Sequence, residues 1–211
     1  MWRSKMKVIT INGSARQNSN DSIALNEVIK VLKEAGVEVK SFEITTAAIH
    51  GCIGCQACSK LGRCVFNDDI VNKIALEFKD ADGIVISSPV YYANANGTLL
   101  SLVQRLFYST PFSKKMKVGA SIAVARRAGT VSTFDEINRF YTISEMPIVS
   151  STYWNDVFGR KPGEASLDEE GLACMRNLAR NMVFLMKAIK KEKEIEGSYP
   201  ESERVITNFI R

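Results

Sequence analysis

The fold is constrained most by a regular alternation of strand-like apolar runs with segments of helical periodicity. Five runs rich in apolar or β-branched residues occupy about residues 7–12, 37–44, 84–88, 117–125 and 147–151. Helical periodicity occupies about residues 20–35, 69–79, 97–109, 131–144 and 168–191. Strands that alternate with helices are joined by right-handed crossovers into a parallel sheet covered on both faces. The pattern therefore predicts an α/β fold built on five parallel strands.

The loop after the first strand is polar and leads into a helix. The stretch Asn12-Gly13-Ser14-Ala15-Arg16-Gln17-Asn18-Ser19-Asn20 contains no acidic residue. Backbone N–H groups and the helix dipole favour an anion at such a position, and Arg16 can hold a phosphate through a forked pair of hydrogen bonds. The stretch predicts a phosphate cradle for a bound cofactor, although an ordinary strand-to-helix turn with capping residues is the alternative.

Two further loops follow predicted strands at the same edge of the sheet, where ligands of open parallel sheets bind. The loop Pro89–Gly97 holds two tyrosines and two asparagines, which suit the face and polar rim of a flat ring. Its alternative is a turn and helix cap with one tyrosine in the core. Arg126 and Arg127 follow the fourth strand and either stabilise charge on a reduced ring or are simply solvated.

Four of the five cysteines form the compact pattern C-x2-C-x2-C-x5-C, at Cys52, Cys55, Cys58 and Cys64. The spacing brings three sulfurs to one side of a tight loop, where the fourth can complete the ligand set of an iron–sulfur cubane. Plain thiols, a disulfide and zinc are the alternatives, although zinc usually uses two separated C-x2-C pairs. We expect His50, the only histidine, to pack in this loop and Cys174 to lie in the core.

Length and charge set broad limits. The 211 residues suffice for a single domain over 1–211, with a core at about 6–190 and a charged tail at about 190–211. Lysine and arginine exceed aspartate and glutamate by 28 to 23, and the net charge of +5 suits a phosphate-bearing ligand without indicating nucleic acid. Neither a long apolar run nor the apolar core of a signal peptide is evident. We therefore expect a cytoplasmic protein without a membrane span.

The three loops taken together resemble those of the NADPH-dependent FMN reductase family. The motifs that carry the resemblance are Asn12–Arg16, Ser88–Asn94 and Ala125–Gly129. The resemblance implies a flavodoxin-like three-layer sandwich with sheet order 2-1-3-4-5, and FMN as cofactor with NAD(P)H as co-substrate. A receiver domain shares this fold but needs acidic residues at the end of its first strand, which Asn12-Gly13-Ser14 does not supply.

The same resemblance implies the cofactor-binding residues. The phosphate loop would bind FMN through Ser14, Arg16, Asn18, Ser19 and Asn20. The isoalloxazine and ribityl would be lined by Pro89, Val90, Tyr91, Tyr92 and Asn94. The pyrimidine side of the ring would be flanked by Arg126, Arg127 and Gly129. The sequence departs from the family at Ala93, where glycine is usual, and in a fourth-strand loop that contains fewer glycines.

The cysteine pattern is similar to that of iron–sulfur flavoproteins, a branch of the same group, but cluster-free FMN reductases carry a similar loop. The first hypothesis is thus an FMN-dependent NAD(P)H oxidoreductase that reduces a flavin, quinone or similar small acceptor. The second is an electron carrier between redox proteins, with FMN and a [4Fe–4S] cluster, and a non-redox binding module is a third.

We further expect a homodimer or homotetramer. The cysteine loop and the 89–97 loop are predicted to form one edge beside the flavin, which a second subunit would cover. Val205, Ile206, Phe209 and Ile210 of the tail are candidates for docking on such a partner.

Overall fold

A five-stranded parallel sheet forms the centre of the computed structural model, which describes residues 5–207 and residue 209. The strands are β1 (Lys7–Asn12), β2 (Glu38–Glu43), β3 (Gly83–Pro89), β4 (Val118–Ala125) and β5 (Asp156–Phe158). Their order is β2-β1-β3-β4-β5, and every neighbouring pair is parallel. The predicted α/β fold and the strand order 2-1-3-4-5 are therefore confirmed.

Helices cover both faces of the sheet and complete the three layers. They are α1 (Asn20–Glu34), α2 (Cys58–Leu61), α3 (Val71–Lys79), α4 (Gly97–Ser109), α5 (Thr130–Thr142) and α6 (Glu169–Glu196), with a 3₁₀ turn at Glu164–Leu167. Alternate strand residues point to opposite faces. Val8 of β1 accordingly packs with α1 and α6, whereas Ile9 and Ile11 pack with α3, α4 and α5.

The fifth strand is the one element that the periodicity misplaces. The run at 147–151 was predicted as the strand, but β5 lies at Asp156–Phe158. Residues 147–149 do approach the start of β4, since Ile148 forms an isolated bridge with Gly119. The hydroxyl of Ser151 then accepts a hydrogen bond from the Tyr153 N–H, and this turn takes the chain out of the sheet until Asp156. The prediction failed because an apolar run marks burial and does not guarantee a continuous ladder.

Several boundaries also differ from the predictions. The loop at 45–67 contains the short helix α2, and α3 begins at Val71, whose N–H donates to the Asp69 carboxylate. The final helix α6 runs to Glu196, beyond the expected end near residue 191. Val205, Ile206 and Phe209 are exposed, and Ile210 lies outside the described residues. In the described part of the chain, none of the helices combines the length and apolar character that a membrane crossing requires.

Candidate functional site

An open cleft lies at the carboxyl ends of β1, β3, β4 and β5. It is lined by Ser14, Arg16, Gln17, Asn18, Ser19, Asn20, Asp21, Pro89, Val90, Tyr91, Val124, Ala125, Arg126, Gly159, Arg160 and Pro162. The three predicted loops therefore meet in one place, and a fourth loop after β5 joins them. The position agrees with the rule that ligands of open parallel sheets bind where the strand order reverses.

The loop after β1 is held tightly against β3. The Gly13 N–H donates to the Ser87 carbonyl at 2.8 Å, and the Asn96 side-chain amide donates to the Gly13 carbonyl at 2.8 Å. A Cβ at Gly13 would lie 2.5 Å from the Leu99 side chain and 2.6 Å from the Ser87 carbonyl oxygen, so the close approach requires glycine. The loop then curls over Ser14, whose hydroxyl accepts from the Arg16 N–H at 3.2 Å. This leaves the Arg16 side chain exposed at the cleft.

The end of the same loop caps helix α1 and also forms part of the cleft wall. Ser19 is the N-cap of α1, and its hydroxyl accepts from the Ser22 N–H at 3.2 Å. The amide of Asn20 donates to the Lys161 carbonyl, while its oxygen accepts from the N–H groups of Gly163 and Ala165. Ser19 and Asn20 thus line the cleft but use their side chains to hold α1 and the loop after β5.

Asp21 is a buried carboxyl group directly beside this cradle. It is 2% exposed, and its Oδ1 accepts a hydrogen bond from the Ser87 hydroxyl at 2.9 Å. Burial away from water penalises the charged form and raises the pKa of Asp21 to about 7, against the opposing effect of the Ser87 hydrogen bond. The sequence marks Asp21 only as the first acid after the loop and gives no sign of its burial.

The second loop forms a tight turn whose tip points away from the cleft. Tyr91 and Asn94 exchange two backbone hydrogen bonds of 2.9 and 3.0 Å, and Tyr92 and Ala93 occupy the left-handed region with φ of 51° and 59°. Pro89, Val90 and Tyr91 line the cleft. The Tyr92 side chain is fully exposed, and the Asn94 amide donates to the Tyr92 carbonyl. In this conformation Tyr92 and Asn94 are therefore outside the cleft wall.

The third loop contributes one of its two arginines. Arg126 lines the cleft, whereas Arg127 does not. Gly129 has a φ of 88° and packs so closely that a Cβ would lie 2.8 Å from both Val90 and Ala93. Gly129 therefore shapes the contact between the second and third loops and is absent from the cleft wall.

The fourth loop, after β5, was missed because the fifth strand was predicted too early in the chain. It brings Gly159, Arg160 and Pro162 to the cleft. The Glu164 carboxylate accepts hydrogen bonds of 2.7 and 2.8 Å from the backbone N–H groups of Arg160 and Lys161. These two hydrogen bonds fix the loop. Arg160 is exposed at the cleft and gives it a third arginine beside Arg16 and Arg126.

The four clustered cysteines line a second, small and largely apolar cavity. Its wall consists of Cys52, Ile53, Cys55, Gln56, Cys58, Cys64, Val65, Phe66, Arg105, Tyr108 and Ser109. All five cysteines of the chain carry free thiols; Cys64 and Cys174 are buried, and Cys52 and Cys55 are exposed. Among residues 5–207 and 209, no three His, Cys, Asp or Glu side chains converge closely enough to hold a metal ion. The sulfurs thus share one cavity without surrounding a single point.

The cysteine cavity is separate from the cleft within one chain. It packs on Arg105, Tyr108 and Ser109, in the C-terminal half of α4, whereas the cleft lies beyond the N-terminal end of this helix. With a rise of 1.5 Å per residue, these contacts lie roughly 14–20 Å along the helix axis from Asn96. The prediction that the cysteine loop and the 89–97 loop form one edge beside the flavin is therefore wrong within a single chain. The reason is that the four cysteines share their cavity with the C-terminal half of α4.

A buried ion pair anchors the cysteine loop. The Arg105 guanidinium pairs with the Asp69 carboxylate, and both side chains are almost fully buried. Its Nε donates to Cys64 Sγ at 3.1 Å, and one of its terminal nitrogens donates to the His50 carbonyl at 3.1 Å. The His50 ring stacks on Phe66 with 4.8 Å between ring centroids, as expected for packing within the loop.

Comparison with known proteins identifies the chain. The sequence pattern that defines the NADPH-dependent FMN reductase family matches residues 6–160. The chain belongs to this family. Membership confirms a flavin-dependent oxidoreductase that uses FMN, and it agrees with a cleft built from strand-end loops and three arginines.

Relatives of this FMN reductase family member include iron–sulfur flavoproteins of archaea. The chain is 34% identical over 197 residues to one from Methanocaldococcus jannaschii, which covers 88% of this chain and 100% of the relative. It is 30% identical over 196 residues to the iron–sulfur flavoprotein of Methanosarcina thermophila, with 90% and 100% of the two chains covered.

Solved structures support the fold of this family member. The NAD(P)H:quinone oxidoreductase from Methanothermobacter marburgensis superposes with a TM-score of 0.65 at 15% identity, covering 85% of this chain and 96% of the other. A flavodoxin from the domain Archaea superposes with a TM-score of 0.55 at 12% identity, covering 88% and 99%. At these identities the superpositions establish the flavodoxin-like fold alone.

The cysteine cavity of this family member has the chemical character that an iron–sulfur cluster needs. Four thiols are the ligand set of a [4Fe–4S] cluster, and they share one largely apolar cavity. The Ser109 hydroxyl in its wall is buried and has no hydrogen-bond partner among the described residues. Buried hydroxyl groups are normally satisfied, so an unsatisfied one in this wall is consistent with a group that is absent from the protein chain itself.

Proposed function

We propose that this protein is an iron–sulfur flavoprotein that passes electrons between FMN in the cleft and a [4Fe–4S] cluster held by Cys52, Cys55, Cys58 and Cys64. The observation that carries the proposal is the shared cavity of the four thiols, in a flavoprotein with a second site of its own for FMN. The name shared by the archaeal relatives supports it.

In the cleft, the protein binds and orients the cofactor. The Arg16 guanidinium and the N–H groups at the start of α1 bind the FMN phosphate, together with the side chains of Ser14 and Asn18. Val90 and Tyr91 pack on the ring, and Arg126 and Arg160 place positive charge at the cleft. Bound FMN supplies hydride and single-electron chemistry, so no acid–base residue of the chain is required.

In the cysteine cavity, the chain supplies thiolates within a largely apolar wall. Cys64 is buried and fixed by Arg105, whereas Cys52 and Cys55 are exposed, and a bound cluster would bring the four sulfurs around one point. The cluster, when bound, supplies one-electron transfer. Electrons would leave toward a small-molecule acceptor or a redox protein.

A second copy of the chain is part of the proposal. The roughly 14–20 Å along α4 between the cleft and the cysteine cavity of one chain is a long path for an electron. In a homodimer or homotetramer, the cysteine cavity of one chain would face the FMN cleft of another chain. Two-fold symmetry is the usual arrangement of such assemblies. Sedimentation at micromolar concentration tests this point, and a particle of 23.4 kDa would contradict it.

Analysis of iron and sulfide in anaerobically reconstituted protein tests the cluster. We expect the wild type to contain both, and we expect Cys52→Ala, Cys55→Ala, Cys58→Ala and Cys64→Ala each to lose both while FMN remains bound. The matched control is Cys174→Ala, because Cys174 is buried in the core away from the cavity and should leave iron unchanged. A wild type without iron and sulfide would contradict the proposal.

Direct reduction by NAD(P)H is a second candidate activity, which membership of the NADPH-dependent FMN reductase family favours. The cleft is open beside Tyr91, which is 44% exposed, so a nicotinamide ring has access to the flavin. Anaerobic mixing with NADH and with NADPH, followed by loss of flavin absorbance, tests this activity and its preference. Flavin that stays oxidised with both donors would leave redox proteins as the source of electrons.

We also propose a cytoplasmic location for the protein. Its five cysteines are free thiols, and free thiols persist in a reducing compartment.

A further inference from the structure

Helix α4 presents two buried polar side chains to the cysteine cavity, four residues apart. Arg105 and Ser109 both line its wall, because positions i and i+4 lie on the same face of a helix. An arginine buried to 1% exposure is unusual, and a fully buried arginine is normally paired. These two residues are therefore placed by the helix for contact with whatever fills the cavity.

The Arg105 guanidinium is fixed in one orientation. The Asp69 carboxylate and the carbonyls of His50 and Phe66 accept its terminal N–H groups, and its centre lies 5.0 Å from the Phe66 ring centroid. These contacts direct the remaining N–H group, on Nε, at Cys64 Sγ, 3.1 Å away. Arginine donates hydrogen bonds and accepts none, so this contact makes the Cys64 sulfur an acceptor.

The Ser109 hydroxyl is the one other side-chain donor of α4 that is buried in the cavity wall. It has no partner among the described residues, although leaving a buried polar group unsatisfied costs about 1–3 kcal/mol. Other hydroxyls near this end of the helix are satisfied, since Thr110 donates to the Leu106 carbonyl at 2.8 Å. An acceptor in the cavity would therefore satisfy the Ser109 hydroxyl.

We propose that Arg105 and Ser109 are positioning residues that donate hydrogen bonds to the sulfur atoms of the cluster and raise its reduction potential. The inference rests on the proposed function. Reduction adds one negative charge to a cluster, and hydrogen bonds to its sulfurs stabilise that charge. Arg105 acts through Cys64, and Ser109 donates to a cluster sulfide or a cysteine sulfur.

The test is the midpoint potential of the cluster in Ser109→Ala and Arg105→Gln, measured by an anaerobic redox titration followed by electron paramagnetic resonance. We expect the equilibrium constant for reducing the cluster to fall about tenfold in each variant, which for a one-electron couple is a shift of about 59 mV to lower potential. Ser109→Ala removes only one oxygen atom and should retain iron, sulfide and FMN.

Two matched variants separate this effect from general changes in charge or packing. Arg63→Gln removes a positive charge next to Cys64, but Arg63 is exposed and donates to the Cys64 backbone carbonyl and not to its sulfur. Ser113→Ala removes an exposed hydroxyl just beyond α4. We expect both to leave the cluster potential within error of the wild type. The FMN potential serves as an internal control, because the cleft shares no lining residue with the cysteine cavity.

The possible results are distinct. An unchanged cluster potential in Ser109→Ala overturns the role of Ser109, and an unchanged potential in Arg105→Gln overturns that of Arg105. If Arg105→Gln fails to fold, Arg105→Lys, which retains the charge but lacks the Nε donor, takes its place with the same expected direction. A wild type without iron overturns the proposed function together with this inference, whereas normal iron and unaltered potentials overturn this inference alone.

Discussion

Asp21 makes the stability of the cofactor-free protein depend on pH in an unusual direction. Its carboxyl is 2% exposed, and burial raises its pKa from 3.8 to about 7 in the folded state. A folded-state pKa above the unfolded value means that folded protein holds a proton that unfolded protein releases. The stabilisation from this group is therefore complete below pH 4 and is lost as the pH rises through about 7.

The size of the effect follows from the shift. A difference of about three pKa units at 1.36 kcal/mol each corresponds to about 4 kcal/mol between pH 4 and pH 7. Asp21→Asn replaces the carboxyl with a group that does not titrate. We expect the free energy of unfolding of the wild type to fall relative to that of Asp21→Asn as the pH rises from 4 to 8.

Urea unfolding of FMN-free protein at a series of pH values, followed by far-UV circular dichroism, measures this difference. Asp135→Asn is the matched control, because Asp135 is exposed on α5 and its loss should leave the pH profile of the wild type in place. Parallel profiles for the wild type and Asp21→Asn would refute the reasoning, since they would show that the buried carboxyl titrates at the same pH folded and unfolded.

Three further predictions concern the cleft and the turn of the second loop. Arg16→Ala should weaken FMN binding by about one to two decades, because it removes a charge-assisted hydrogen bond to the phosphate, whereas Arg127→Ala should leave the affinity unchanged. Fluorescence titration measures the FMN affinity of both variants, and the same affinity in Arg16→Ala as in Arg127→Ala would contradict the phosphate cradle. Tyr91→Ala should weaken FMN binding in the same assay, whereas Tyr92→Ala should leave it unchanged, because only Tyr91 lines the cleft. Ala93→Gly should raise the free energy of unfolding by about 1 kcal/mol, because Ala93 has a φ of 59°; thermal unfolding measures this, and a destabilised variant would contradict it.

The fold was predictable because its signals are local and mutually consistent. The apolar run before Asn12 and the helical spacing after Ser19 define the first strand and helix, and the same alternation repeats along the chain. The strand order could not be obtained from that alternation and came from the resemblance of three loops. The confirmed order β2-β1-β3-β4-β5 then places those loops at one edge.

Contacts between distant segments were the part that the sequence could not supply. Arg160 was missed because the position of β5 depends on its pairing with β4. The apolar run at 147–151 looks like a strand in the sequence but forms only an isolated bridge with β4, between Ile148 and Gly119. The burial of Arg105 was equally hidden, since its partner Asp69 lies 36 residues away. Gly129 and Asn20 were assigned to the cofactor from the sequence, which gave no sign that Gly129 also packs on Val90 and Ala93 or that Asn20 also fixes the loop after β5.

A count of the electrons that the anaerobic, FMN-loaded protein accepts tests the central claim most directly. FMN takes two electrons and a [4Fe–4S] cluster takes one, so titration with dithionite should consume about three electrons per chain in the reconstituted wild type. Cys64→Ala should consume about two. If the wild type consumes only about two electrons and bleaches flavin absorbance alone, it holds FMN without a cluster, and the proposed pairing of the two sites is wrong.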